Sequence, residues 1–288
     1  MSFPARAIFI SAFFFPIACA SPIQATDDRG LTVALDQPAQ RIIALAPSIT
    51  ELVYAAGAGS KLVGVSEYSD YPEAAKSIPR VGDAAHINIE RILFLKPDLI
   101  VGWRSGGYSV GLARLEKLGF KVFVMEPLKL DDIPRLLRTL GKYAGTLAAA
   151  ETAAEDFETR LQWLRKRFSD KRPVTVFYEI WHEPLMTVNG EHLISDVLNV
   201  CGGLNIYANA RPLTPIISIE DLLVKNPEAI ISDVAQGEQW QSYKVISAVR
   251  KEHIIFVPPD WLERQSPRIL EGARVICERL DAVRNEER

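Results

Sequence analysis

Two stretches of the chain share one ungapped pattern: Asn88-Ile-Glu-Arg-Ile-Leu-Phe-Leu-Lys-Pro-Asp-Leu-Ile-Val101 and Ser218-Ile-Glu-Asp-Leu-Leu-Val-Lys-Asn-Pro-Glu-Ala-Ile-Ile231. A pattern that occurs twice, this far apart, indicates two similar lobes rather than a solenoid. It also places a glutamate, Glu90 or Glu220, at the same position of each copy. Two matched acids raise the question of what partner they face.

Each copy predicts a helix followed by a strand. Asn88 is a favoured N-cap, and Pro97 ends the helix, as Pro227 does in the second copy. Short apolar runs alternate with helical segments along the chain, which is typical of parallel sheets covered by helices on both faces. Strands are predicted at 41–46, 62–65, 98–102, 121–125, 174–180, 229–232 and 254–257.

The middle of the chain predicts a long helix. No strand signal occurs between Asp131 and Phe168, and apolar residues recur there at three- and four-residue spacing. The predicted helix over 146–168 is about 35 Å long at ~1.5 Å per residue. The fold class is therefore predicted as α/β: two Rossmann-like lobes with parallel sheets, at 31–145 and 171–288, joined by a long α-helix at 146–170. The predicted buried face comprises Leu147, Ala150, Ala154, Phe157, Leu161 and Leu164.

Three local patterns give further expectations. Ser48 and Glu51 form an S-x-x-E pattern, which predicts a capping box at a helix start. Ser266-Pro267 predicts the start of the last helix, because proline is favoured in the first turn. The charged residues from Asp281 onward predict a frayed tail.

The N-terminus carries a short apolar run over 7–18, preceded by Arg6. This run is shorter than the roughly 20 residues that span a bilayer. With the A-x-A pattern of Ala18-Cys19-Ala20, it predicts a signal peptide over 1–20 that is cleaved after Ala20. Lipidation of Cys19 is the alternative, although Pro16-Ile17-Ala18 matches a lipobox poorly.

Cleavage after Ala20 would leave two cysteines, Cys201 and Cys277. In an oxidising compartment an isolated pair favours a disulfide, and two buried free thiols are the alternative. A bridge closing a loop of this length would stabilise the fold by roughly 4 kcal/mol in the chain-entropy model.

Composition and motifs exclude several classes of function. The net charge is −3 and the isoelectric point about 5.9, so the basic surface expected of a nucleic-acid-binding protein is absent. The sequence has no HExxH, G-x-S-x-G, P-loop or GxGxxG motif, and we expect no metal site and no catalytic residues.

Aromatic residues follow the predicted strands in both halves. Tyr71, Trp103, Trp181 and Trp261 all lie where a strand has just ended. Ligands of parallel α/β sheets bind beyond these strand ends, and large rings bury much surface at low entropic cost. We therefore expect a shared cleft between the lobes; the alternative is that each ring covers the core of its own lobe.

Polar residues in the same loops have two interpretations each. His182 follows a strand and could touch a ligand or its metal, or it could be an ordinary surface histidine. Asp260 and Arg264 could form a loop ion pair that also contacts ligand, and a catalytic pair is the weaker alternative. Glu90 and Glu220 sit near helix starts, where the helix dipole favours an acid by about 0.3–1 kcal/mol, but this does not explain their matched positions.

Several segments together resemble the periplasmic vitamin B12-binding proteins of ABC importers, which are helical-backbone (class III) substrate-binding proteins. The likeness covers nearly the whole chain after the signal peptide. The glutamate helices and the K-P-D-L-I strand are typical of the wider family, which includes haem and siderophore carriers. The S-D-Y-P, W-R-x-G-G and D-W-x-E-R-x-S-P-R segments resemble cobalamin binders more narrowly. The segments are Arg41–Glu51, Gly64–Pro72, Asn88–Ile92, Lys96–Ile100, Trp103–Gly107, Val200–Asn205 and Asp260–Arg268.

This resemblance implies a cobalamin carrier of the periplasm that catalyses nothing and works as a monomer. Cys201 and Cys277 would form the family's disulfide, while Glu90 and Glu220 would dock onto the two subunits of an inner-membrane ABC permease dimer. One position departs from the family, because Thr214 stands where close relatives carry a tryptophan. Cobalamin would lie between the lobes against Tyr71, Trp103, Arg104, Trp181, His182, Asp260, Trp261 and Arg264.

Two alternatives remain open. A haem or ferric-siderophore carrier of the same class could use Tyr71 or His182 as an axial ligand, and Arg104 and Arg264 as cationic groups for an anionic chelate. A secreted metal- or cofactor-dependent enzyme on this fold is a further alternative, against which the lack of clustered metal ligands argues.

Overall fold

The computed structural model describes residues 22–83, 85–232 and 239–286. The predicted signal peptide, with Cys19 and the cleavage after Ala20, lies outside these residues. The described residues contain two parallel four-stranded sheets, which confirms the predicted α/β class. Their strands are β3 (Ile42–Ala44), β4 (Leu62–Val65), β5 (Leu99–Trp103), β6 (Val122–Met125), β7 (Val174–Tyr178), β8 (Gly203–Asn205), β9 (Ala229–Ser232) and β10 (Ile254–Phe256). The first sheet has the order β4-β3-β5-β6 and the second β10-β9-β7-β8.

Helices cover both faces of each sheet. The central strands β3 and β9 are therefore buried along their whole length, and β5 is buried up to its last residue, Trp103, as their continuous apolar sequences require. We call the part of the chain around the first sheet the first lobe, and the part around the second sheet the second lobe. The helices are α1 (Pro47–Ala55), α2 (Ile89–Leu95), α3 (Ser109–Lys117), α4 (Asp132–Ala144), α5 (Leu147–Phe168), α6 (Leu193–Val200), α7 (Ile219–Lys225), α8 (Ser247–Arg250) and α9 (Ile269–Glu286).

The duplicated sequence folds in the same way in both lobes. The Asn88 side chain accepts from the backbone N–H of Arg91 at the start of α2, and Ser218 caps α7 in the same manner. Both helices end at a residue in the left-handed conformation, Lys96 at φ 46° and Asn226 at φ 44°. This turn leads the backbone from each helix directly into a central strand of its sheet, from α2 into β5 and from α7 into β9.

The long helix α5 packs against both lobes, with α1 and α4 on one side and α6 and α9 on the other. Of the predicted face, Leu147 is exposed and the other five residues are buried. Through this face one hydrophobic core runs without interruption from the first sheet to the second. The lobes therefore share their interior instead of meeting at a polar hinge. The lobe boundaries given above stay a prediction.

An N-terminal hairpin was not predicted from the sequence. It pairs β1 (Ile23–Thr26) with β2 (Thr32–Leu35) in antiparallel fashion. The buried Tyr143 of α4 holds it: its hydroxyl accepts from Ala25 N–H at 3.1 Å and donates to Val33 O at 2.8 Å. The short elements β8 and α8 were also missed, because three or four residues carry too little periodicity to be recognised.

The predicted capping box of α1 is wrong. The helix begins at Pro47 after Ala46, whose side chain cannot cap it. Glu51 is buried and turns instead toward the second lobe, where Ser266 donates to it at 2.5 Å. The S-x-x-E pattern is therefore used for a long-range contact.

The C-terminal part also differs from the prediction. The last helix begins at Ile269, not at Ser266, and it continues to Glu286, so residues 281–286 are not frayed. Buried Arg284 explains this order, because its guanidinium donates to the backbone carbonyls of Arg172, Cys201 and Gly202 at 2.6–2.9 Å. The three carbonyls lie in loops. Arg284 therefore fixes the end of α9 and these loops to each other.

Candidate functional site

The residues that follow the strands of the two sheets meet at a cavity of about 280 Å³ between the lobes. Sites that enclose a drug-sized ligand measure about 300–1,000 Å³, so this cavity holds only part of a larger ligand. The first lobe supplies most of the wall, and the second lobe closes one side with Glu263 and Gln265. The first-lobe residues are Leu45, Ala46, Pro47, Ser48, Ser66, Glu67, Tyr68, Trp103, Gly106 and Tyr108.

Trp103, the last residue of β5, forms part of this wall as the sequence predicts. Its backbone N–H donates to the Tyr108 hydroxyl at 3.1 Å, so the two aromatic residues are fixed together. Burial raises the pKa of Tyr108 to about 12, and its hydroxyl stays neutral at physiological pH. Gly106 is required beside it, because a Cβ there would lie 2.7 Å from the Tyr108 ring.

Tyr68 lines the cavity and was not predicted. Its side chain is 78% exposed, and its backbone has φ 62°, which is rare for a tyrosine. The sequence indicated that the loop containing Tyr68 lies at the cleft. It did not indicate that a left-handed backbone would place the ring of Tyr68, and not that of Tyr71, in the cavity wall.

A cluster of charged side chains, with the buried Glu51 at its centre, joins the two lobes beside the cavity. Glu51 of the first lobe accepts hydrogen bonds from Ser266 and from both Arg264 and Arg268 of the second lobe. The Arg268 guanidinium also lies 3.9 Å from the centre of the Tyr71 ring. We call this group the inter-lobe cluster; its members are Glu51, Asp70, Tyr71, Asp260, Arg264, Ser266 and Arg268.

Arg264 is surrounded by three carboxylates. Its side chain, 13% exposed, contacts Asp70 at 2.5 Å, Asp260 at 2.9 Å and Glu51 at 3.2 Å. The hydrogen bond from Arg264 lowers the pKa of Asp70. Arg264 and Asp260 thus form the expected ion pair, but the arginine's charge is already compensated, so it offers little to an anionic ligand.

Two other predicted residues are directed elsewhere. Arg104 donates through Nη1 to Asp28 O of the N-terminal hairpin at 3.2 Å and does not line the cavity. Trp261 lies in a 3₁₀ turn over Pro259–Trp261 and packs partly against the hydrophobic core. Trp261 does not line the cavity, and its contact with a ligand stays a prediction.

Trp181 and His182 stand at the end of β7, in a turn closed by the bond from Met186 N–H to Trp181 O at 2.8 Å. Trp181 is 61% exposed, and its indole N–H donates to Glu183 O at 2.8 Å. Nδ1 of His182 lies 2.7 Å from Oε1 of Glu179, a buried carboxylate. These residues stand outside the cavity itself, and the sequence gave no sign that Glu179 would bind the histidine.

Residues 42–260 match the family model described as periplasmic binding protein. The chain belongs to the periplasmic binding protein family. The vitamin B12-binding protein of Vibrio cholerae serotype O1 is 41% identical over 244 residues, which are 83% of this chain and 88% of that protein.

Solved structures of this family have the same fold. The crystal structure of the periplasmic vitamin B12 binding protein of Vibrio cholerae is 40% identical, with a TM-score of 0.82 over 86% of this chain and 98% of that one. A periplasmic haem-binding protein from Roseiflexus is 21% identical, with a TM-score of 0.72 over 83% of this chain and 98% of that one. At that identity the haem-binding protein shows the common fold alone.

The two glutamates of the duplicated pattern are exposed in this family member. Each lies in the first turn of its helix, and an exposed apolar residue stands one turn further on: Phe94 after Glu90 is 83% exposed, and Val224 after Glu220 is 84% exposed. Each lobe thus presents an acid beside an apolar side chain on one helix face.

The structure contains the disulfide between Cys201 and Cys277, which confirms the pairing expected from the sequence. It joins the end of α6 to α9 within the second lobe. Among the described residues, His, Cys, Asp and Glu side chains form no group of three or more that could hold a metal ion. Within the same residues, no helix is long and apolar enough to cross a bilayer.

Proposed function

We propose that this protein captures cobalamin between its lobes and delivers it to an ABC importer, without catalysing a reaction. The observation that carries this proposal is the 41% identity, over most of both chains, to a vitamin B12-binding protein. The cavity supports it, because its walls come from both lobes and combine Tyr68, Trp103 and Tyr108 with few charges. Such walls suit the large, largely uncharged face of a corrinoid, with loop groups free to bind its peripheral amides.

The remaining parts of the proposal concern location and partners. The protein is exported by the signal peptide, which is cleaved after Ala20 without lipidation of Cys19, and it acts in the periplasm as a monomer. Glu90 and Glu220 contact the two subunits of an inner-membrane permease dimer, one lobe to each. The matched exposure of Phe94 and Val224 supports this role, since exposed apolar residues beside a charge are typical of a protein-binding surface.

A haem carrier is the second candidate function. The observation that favours it is the pairing of exposed His182 with buried Glu179, an arrangement in which a histidine can bind a metal. A ferric-siderophore carrier is less favoured, because Arg264 is already paired with three carboxylates and Arg104 is bonded to the hairpin.

Calorimetric titration of the purified mature protein separates these candidates. Cyanocobalamin, haemin and a ferric hydroxamate would each be titrated under the same conditions into the wild-type protein and into the Trp103→Ala variant. We expect cyanocobalamin to bind one to one and the Trp103→Ala variant to bind it more weakly. Binding of haemin with no binding of cobalamin would overturn the proposed function.

A further inference from the structure

The charged residues that line the inter-lobe cavity are both glutamates. Glu67 lies in the first lobe, shortly after the end of β4, and Glu263 comes from the second lobe. Among the residues that the structure describes, no lysine, arginine or histidine lines the cavity. An ionised carboxylate accepts hydrogen bonds and cannot donate them. A ligand in the cavity therefore meets two negative charges and no positive one.

The arginines of the inter-lobe cluster do not offset these charges. Arg264 contacts three carboxylates, Arg268 contacts one of the same three, and neither arginine lines the cavity. Glu67 is exposed, and its side chain makes no hydrogen bond or ion pair within the described part of the chain. Its backbone N–H donates to Gly82 O at 2.8 Å, which holds the residue at the cavity wall. The carboxylate of Glu67 is thus available to a bound ligand.

Gln265 adds an uncharged acceptor to the second-lobe side of the cavity. Its Oε1 is shielded from solvent and has no hydrogen-bond partner among the described residues. A buried acceptor without a partner is costly, and the terminal torsion of a glutamine is broad, so the amide can turn toward a donor. The cavity therefore combines two carboxylates with an amide oxygen that gains from a ligand N–H.

We propose that Glu67 and Glu263 make the cavity specific for ligands whose peripheral groups are amides, and that they reject ligands with a carboxylate at the same place. This inference rests on the proposed function, because it takes the cavity as part of the cobalamin site. The amides of a corrinoid donate N–H groups to these acceptors. A carboxylate instead brings a like charge into a site partly shielded from water, where repulsion is strong. Haem, which carries two propionates, is disfavoured for the same reason.

The test compares cyanocobalamin with its b-, d- and e-monocarboxylic acids, in each of which one peripheral amide is hydrolysed. Calorimetry gives, for each protein, the ratio of the Kd of the acid to the Kd of cyanocobalamin, so a general effect of a substitution on binding cancels. We expect at least one isomer to bind wild type about tenfold more weakly than cyanocobalamin. The ratio for that isomer should fall about threefold or more in Glu67→Gln and in Glu263→Gln, and also with added salt, which screens the repulsion.

Glu155→Gln is the matched control, since Glu155 is exposed on α5, does not line the cavity and carries the same charge. Its ratio should equal that of wild type. The methyl ester of the same isomer is neutral and also lacks the N–H, so it should lose less affinity than the acid. Acids that all bind as tightly as cyanocobalamin, equal losses for ester and acid, or a ratio that neither cavity substitution changes would overturn the selection by charge. Absence of cyanocobalamin binding to wild type would instead refute the proposed function.

Discussion

The guanidinium of Arg268 lies 3.9 Å from the centre of the Tyr71 ring, and the two residues belong to different lobes. Such a contact is worth up to about 2 kcal/mol when it is shielded from water. Arg268 also donates to Glu51, so one side chain joins the second lobe to both a ring and a carboxylate of the first. The sequence patterns assign Tyr71 to ligand binding and Glu51 to a helix cap, but in the structure both residues help to hold the lobes together.

Glu51→Gln should lower the free energy of unfolding by about 3 kcal/mol, because it removes the buried counter-charge of Arg268 and one of the three carboxylates that contact Arg264. Unfolding in urea, followed by circular dichroism, measures the change. Glu278→Gln is the control, since its pair with Arg274 is solvent-exposed and should be worth no more than about 0.5 kcal/mol. Equal effects of the two substitutions would contradict a structural role for the inter-lobe cluster.

Tyr68→Ala and Trp103→Ala should each weaken cobalamin binding by roughly 1–3 kcal/mol, the value of a buried aromatic side chain. Both residues line the cavity, so the loss should appear in calorimetric affinity with thermal stability nearly unchanged for Tyr68→Ala. Trp163→Ala serves as the control, because this half-exposed tryptophan lies on α5 away from the cavity. Unaltered affinity in both cavity variants would remove these rings from the binding surface.

Glu90→Ala combined with Glu220→Ala should leave cobalamin affinity intact and abolish transport. The two acids are exposed at matched positions and do not line the cavity, so their loss affects only the contact with the permease. Uptake of labelled cobalamin by cells that express the variant measures this effect, with Glu155→Ala on α5 as a control. Normal uptake by the double variant would refute the docking role.

The stability of the fold should fall as the pH is lowered from about 6.5 to about 4. Burial lowers the pKa of His192 to about 4, and its Nδ1 accepts the N–H of Ile194 at the start of α6. The unfolded histidine takes up a proton near pH 6.5, so acid favours the unfolded state, with a full difference of about 3 kcal/mol.

His192→Asn keeps a favoured N-cap and removes the titrating group. The variant should be nearly as stable as wild type at pH 7.5, and its unfolding free energy should decrease less between pH 6.5 and pH 4.5. Denaturant titrations at several pH values measure both slopes. Parallel curves for the two proteins would show that His192 does not cause the acid sensitivity.

Cys201→Ala with Cys277→Ala should reduce the free energy of unfolding by about 4 kcal/mol, because the bridge closes a long loop of the unfolded chain. Ligand affinity should remain the same, since neither cysteine lines the cavity. Thermal melting of wild type with and without reductant gives an independent measure. A melting temperature that does not change in either experiment would contradict the expected stabilisation.

Much of the fold could be predicted from the spacing of apolar residues and from the residues that begin or end helices. Long apolar runs, N-caps such as Asn88, and prolines such as Pro97 and Pro227 are local signals, and they predicted every strand of the two four-stranded sheets except β8, and the helix α5. Elements without a local signal were missed. The hairpin β1–β2 depends on Tyr143, and the order of the C-terminus depends on Arg284, and both of these contacts join residues far apart in sequence.

The candidate site was predictable at the level of loops but not of side chains. Sequence reasoning placed Trp103 at the cavity, because a strand end fixes the position of its last residue. It did not predict that Tyr68 would line the cavity or that Tyr71 would pack on Arg268, since that depends on a left-handed backbone in one loop. Glu51 illustrates the same limit. The local S-x-x-E pattern predicts a helix cap, but Glu51 instead accepts hydrogen bonds from Arg264 and Arg268, which are far away in the sequence.

The continuous core around α5 has a consequence for how a captured molecule leaves. Because the lobes share one interior and are also joined by Glu51, Ser266 and Arg268, we expect them to keep nearly the same arrangement whether the cleft is full or empty. Entry and exit then both need little rearrangement, so we expect capture to be fast and the bound molecule to leave only as fast as its contacts with the cleft walls break. If the protein docks as proposed, we expect release to be hastened by force that the partner applies to both lobes, because such force loosens the contacts of both walls at once.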